Sequence, residues 1–61
     1  MWILNSDGLI AENFKGKTIR ADYGKDKVFR IKLGYKTIAS FKKLSDAKKF
    51  IAQFVEQENK I

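Results

Sequence analysis

The chain has 61 residues, enough for one small domain and too few for a second. It has no cysteine and no histidine, which removes disulfides and the usual thiolate and imidazole ligands of zinc. Thirteen Lys or Arg against seven Asp or Glu leave a net charge of +6, a balance that attracts polyanions.

A chain this short folds with little margin, because it buries only ~60% of the surface its unfolded form exposes. Stability must come from apolar residues, tight turns or self-association, and the sequence leaves room for a homodimer. Trp2, Tyr23, Tyr35 and five Phe supply much of the apolar area.

The first two segments, Met1–Leu4 and Leu9–Phe14, read as a hairpin around Asn5-Ser6-Asp7-Gly8. Asn and Asp bond back to the backbone, and Gly accepts positive φ. Apolar residues sit at both parities here, so the inward face stays open. Met1–Leu4 is too short for a signal peptide and has no basic leader, so the first residues are expected to belong to the fold.

Lys15-Gly16 marks a second turn, and Lys17–Tyr23 a third strand in which Ile19, Ala21 and Tyr23 alternate with Thr18, Arg20 and Asp22. After Gly24-Lys25-Asp26 comes Lys27–Leu33, with Phe29, Ile31 and Leu33 alternating with Val28, Arg30 and Lys32. A period of two places one set inward and the other on an open face. Beyond Gly34, the segment Tyr35–Phe41 reads as a fifth strand. The expected register turns Thr37, Ala39 and Phe41 inward and Lys36, Ile38 and Ser40 outward; the opposite one buries Ile38.

The period then changes. Ala47, Phe50, Ile51, Phe54 and Val55 recur at helical spacing, which predicts a helix from about Asp46 to Glu58 with Ser45 as N-cap. The expected fold is therefore α+β: a small antiparallel sheet of four to five strands, built as a meander of hairpins, with one C-terminal helix packed on one face. Ile3 and Ile10-Ala11 echo Ile31 and Ile38-Ala39, which is explained most simply by similar hairpin chemistry.

The residues point away from an enzyme. The commonest catalytic bases and nucleophiles are missing, and Ser6, Ser40 and Ser45 have no visible activating partner. Asp22 and Asp26 flank a turn and read as a solvated pair. The glycines at 8, 16, 24 and 34 match no phosphate-binding loop. No cofactor and no metal is expected. No segment has the ~20 apolar residues of a membrane span. Lack of cysteine fits a reducing compartment, so a cytoplasmic location is expected.

Charge is unevenly spread. Residues 15–49 hold twelve Lys or Arg against Asp22, Asp26 and Asp46, while the two ends are slightly acidic. Arg20 and Arg30, the protein's two arginines, fall on the expected open sheet face with Lys32 and Lys36. Arginine suits bidentate contact with phosphate or a guanine edge. Lys42 and Lys43 in the loop before the helix, with Lys48 and Lys49 in its first turn, form a second basic group.

The run Tyr35–Ile51, with Phe41, Leu44, Ala47 and Phe50, resembles the last strand and helix entry of three-stranded-sheet DNA-binding domains. The integrase arm-type domains and the plant domains of that build are examples. The resemblance implies a sheet face that reads a DNA groove, with Arg20, Arg30, Lys32 and Lys36 at the face positions and the helix behind. It covers about a third of the chain, and the N-terminal hairpin has no counterpart in it. The expected function is a small basic nucleic-acid-binding module, of the kind carried by phages or mobile elements. The alternative is a protein-interaction module, an inhibitor or adaptor, that binds an acidic protein or adds a strand to it.

Overall fold

The computed structural model describes residues 1–60. Five strands run β1 (Trp2–Leu4), β2 (Ile10–Asn13), β3 (Thr18–Tyr23), β4 (Phe29–Leu33) and β5 (Lys36–Phe41), followed by helix α1 (Leu44–Glu58). The strands form one sheet in sequence order, each antiparallel to its neighbour. This is a small α+β fold, an open antiparallel sheet with one helix against it.

Tight turns of two kinds join β2 to β5. In the β2–β3 turn, Asn13 N–H donates to the Lys17 carbonyl and Gly16 N–H to that of Asn13. The Asn13 side-chain oxygen also accepts from the Lys15 and Lys17 amides. Gly16 takes φ +85°, the left-handed position that ends such a three-residue loop. The β3–β4 turn repeats this pattern from Gly24 to Val28, but Lys27 holds the left-handed place at φ +62°. The β4–β5 turn is a two-residue loop, Gly34-Tyr35, with positive φ only at the glycine.

Cross-strand partners share a face. One face carries Trp2, Leu4, Ala11, Ile19, Ala21, Ile31 and Phe29, by their pairing across β1 to β4. The helix covers this face: Trp2, Ala11, Ile19, Ile31, Ala47 and Ile51 form the buried core. Phe29, Leu33, Phe41, Phe50, Phe54 and Val55 are half-buried around it. Trp2 meets Phe54 edge-on at 5.2 Å between ring centroids, and Phe41 meets Phe50 at 5.5 Å. The ambiguous first hairpin thus resolves with Trp2 and Ala11 inward and Ile3 and Ile10 on the open face. Ile3 is exposed while Ile31 is buried, so the two members of the sequence echo occupy unlike positions.

Three expectations need correction. The expected register of β5 fails at its start. Ile31 pairs with Ala39, but Lys32 pairs with Thr37 and Leu33 with Lys36, leaving Ile38 as the extra residue of a β-bulge. The bulge reverses parity, so Thr37 lies on the open face with Lys32, and Lys36 shares the face of Leu33. Tyr23 has the inward parity but sits at the strand end, exposed, with its ring 4.6 Å from Phe29. Ser45 is not the N-cap. Only Lys42 and Lys43 separate β5 from α1, so the helix begins at once: Lys43 is the capping residue, without a side-chain bond, and its carbonyl accepts from Ala47 N–H.

Candidate functional site

The face of the sheet opposite α1 is covered by no other element among the described residues. Its central pairs are Arg20 with Lys32 and Asp22 with Arg30. Ile10 adjoins Arg20, and Ser40 adjoins Arg30. Arg20, Arg30 and Lys32 therefore do lie together on one open face.

Their charges are largely matched within the protein. Asp22 stands between two cations, 3.4 Å from the Arg20 Nε and 3.5 Å from the Lys32 Nζ. Arg30 grips Asp26 with both ends of its guanidinium: Nη1 donates to Oδ1 at 3.2 Å, and Nη2 donates to Oδ2. The hydrogen bond from Arg30 holds the Asp26 carboxyl below its ordinary value, and the same bond raises Arg30. Glycine at position 24 makes room for this pair. A Cβ there would stand 2.7 Å from the Arg30 Nη1 and the Asp26 Oδ1. Glu12 opposes Thr18 on the same face and lowers its positive charge further.

A second group of cations lies at one end of the sheet. The meander brings the β2–β3 and β4–β5 turns to that end, and Gly34 N–H donates to the Thr18 carbonyl at 2.8 Å. Between the two turns opens a cleft of about 570 Å³, lined by Gly16, Lys17, Thr18, Arg20, Leu33, Gly34, Tyr35 and Lys36. Three of these are cations and none is a carboxylate. Ideal Cβ atoms at Gly16 and Gly34 would meet nothing within 4 Å, so both turns leave the cleft mouth clear.

Two aromatics crown this end. Tyr35, the second residue of the β4–β5 turn, is 99% exposed, and Phe14 in the β2–β3 turn is 81% exposed. Among the described residues the close aromatic pairs are Trp2–Phe54, Tyr23–Phe29 and Phe41–Phe50, and neither Phe14 nor Tyr35 belongs to one.

The six residues singled out in the sequence thus divide into three places. Arg20, Arg30 and Lys32 share the open face. Lys36 joins Arg20 at the cleft, although the bulge takes it off the face where it was expected. Lys42 and Lys43 are exposed at the opposite end of the sheet, beside the β3–β4 turn and the start of α1. Lys17 and Tyr35 were missed. Their signal was the Gly34-Tyr35 dipeptide, a bulky aromatic at a turn position where polar residues usually stand.

No family model, no curated protein and no solved structure matches the chain.

The likeness to three-stranded DNA-binding domains is therefore one of element order, three antiparallel strands and a following helix, and carries no family assignment. No three Asp or Glu side chains among the described residues are grouped as a metal site would need. No helix among them is long and apolar enough to cross a membrane.

Proposed function

We propose that the protein is a small nucleic-acid-binding module that grips phosphates at the sheet-end cleft. The observation that carries this reading is the cleft lining: Lys17, Arg20 and Lys36 all border it, and no carboxylate does. Cations so placed raise the local concentration of a polyanion and neutralise its phosphates. Arg20 belongs to both cleft and open face, so a strand held at the cleft can continue towards Lys32 and Arg30. At Arg20, Arg30 and Lys32 a phosphate must compete with Asp22 or Asp26, which makes Lys17 and Lys36 the primary contacts.

The test is a fluorescence-anisotropy titration with a labelled oligonucleotide at physiological salt. Lys17→Ala with Lys36→Ala should weaken binding much more than Lys42→Ala with Lys43→Ala, which removes equal charge from the other end. Equal loss in the two double variants would mean that the protein merely adheres to polyanions.

A protein-interaction module remains the second reading, favoured by the exposed apolar side chains of Ile3 and Ile38 on or beside the open face. It predicts no oligonucleotide binding by the parent protein, and loss of a protein partner on Ile38→Asp.

A further inference from the structure

The cleft has more than charge. Its lining joins an aromatic ring, free of close aromatic partners among the described residues, with three cations. We infer that the cleft takes unpaired nucleotides of a single strand, with a base stacked on Tyr35 and the flanking phosphates on Lys17, Arg20 and Lys36. This rests on the nucleic-acid reading and adds to it the form of the strand.

The argument begins with the turn. A two-residue loop that starts with glycine at positive φ constrains its first position, not its second. Any residue fits at position 35, and a polar one would cost less solvation than a tyrosine that is 99% exposed. Tyr35 contributes almost nothing to the core from there, so its bulk is not explained by folding. Phe14 repeats the feature on the neighbouring turn.

The chemistry of the occupant follows. Base–aromatic stacking combined with a cationic groove is the general means of holding single strands without reading their sequence. In a duplex the base faces are already stacked on one another, and a protruding ring finds only sugar, phosphate and base edges. A cleft of about 570 Å³ is of the size that holds small ligands, and so has room for a nucleotide. Phosphates alone would explain the lysines but leave Tyr35 without a role.

The experiment compares one labelled oligonucleotide as a single strand and annealed to its complement, against the parent protein, Tyr35→Ala and Tyr35→Trp. The expected result is tighter binding of the single strand. Tyr35→Ala should lower that affinity roughly fivefold to a hundredfold, the range seen when a stacking platform is removed. Tyr35→Trp should keep it, since a larger π-face serves as well. Thermal melts of the variants should match the parent, because the side chain is solvated. Duplex binding equal to or tighter than single-strand binding, with Tyr35→Ala unchanged, would overturn this inference and leave the nucleic-acid reading standing. Failure of the parent to bind either form at physiological salt would overturn both.

Discussion

The side-chain amide of Asn59 closes a two-bond ring with the backbone of Trp2. Trp2 N–H donates to the Asn59 Oδ1 at 2.8 Å, and the Asn59 Nδ2 donates to the Trp2 carbonyl at 3.0 Å. Asn59 is the C-cap of α1, and Trp2 opens the edge strand β1. The amide therefore joins the end of α1 to β1 and occupies backbone groups on a strand edge that would otherwise be open to another chain.

Asn59→Ala removes both bonds from a partly buried site. The expected cost is about 1–3 kcal/mol, since each net bond contributes of the order of 1 kcal/mol and the Trp2 groups lose their partner. A urea melt should show it. Faster hydrogen exchange at the Trp2 amide, without comparable change in β3 and β4, should accompany it.

Ile51 lies fully buried between helix and sheet, whereas Phe50 is only partly buried beside Phe41. Ile51→Ala should cost ~2–5 kcal/mol through lost transfer energy and a cavity. A domain of this length has only ~3–9 kcal/mol in all, so that variant should be largely unfolded or close to it. Phe50→Ala should be the milder change, because its ring can be replaced in part by solvent. Equal loss in the two would show that the helix is rotated from the face described.

Lys27 occupies the left-handed place that Gly16 fills in the equivalent turn. Lys27→Gly should relieve backbone strain and raise stability by about 0.5–1 kcal/mol, the cost of that conformation being offset by greater freedom of the unfolded glycine. Gly16→Ala should lower stability for the converse reason. Denaturant midpoints of the two variants should move in opposite directions.

Asp26 titrates below its ordinary value of 3.8 because Arg30 donates a hydrogen bond to its ionised form. The unfolded state therefore binds the proton more tightly than the folded state. The pair's contribution to stability is complete above pH ~4–5 and is lost as pH falls through the lowered folded value. Arg30→Gln should return the Asp26 midpoint to the ordinary range in a carboxyl NMR titration. Gly24→Ala should shift it less, since the atoms a Cβ there would meet are the movable ends of both side chains.

The parts of the fold legible in the sequence are those where burial enforces a period. Ile19 and Ala21 in β3, Phe29 and Ile31 in β4, and Ala47, Ile51 and Phe54 in α1 each repeat at the spacing of their element and meet in or against the core. The first hairpin was unreadable at its faces because Ile3 and Ile10 stand exposed or half-exposed on the open side, and Trp2 is marked as inward only by strand pairing and its packing against Phe54. The bulge at Ile38 has no local signature, since the residues around it alternate acceptably in either register. It alone moved Lys36 and Thr37 to unexpected faces.

The candidate site was legible in its composition and not in its assembly. Arg20 and Arg30 were placed on the open face by parity, but the Lys32–Asp22 and Arg30–Asp26 ion pairs depend on cross-strand and turn geometry. The cleft needs two turns, around Gly16 and Gly34, to arrive at the same end of the sheet. Strand order decides that, and strand order is a property of the whole meander.

The salt dependence of single-strand binding tests the central claim most directly. Each phosphate neutralised on a single strand contributes ~0.7 to the slope of log K against log salt, so contacts from Lys17, Arg20 and Lys36 predict a slope of about −2. Lys17→Ala or Lys36→Ala should each reduce its steepness by ~0.7, and Lys43→Ala should leave it unchanged. A slope that responds equally to all three substitutions, or no binding by the parent at physiological salt, would contradict the assignment of the cleft as the phosphate-gripping site.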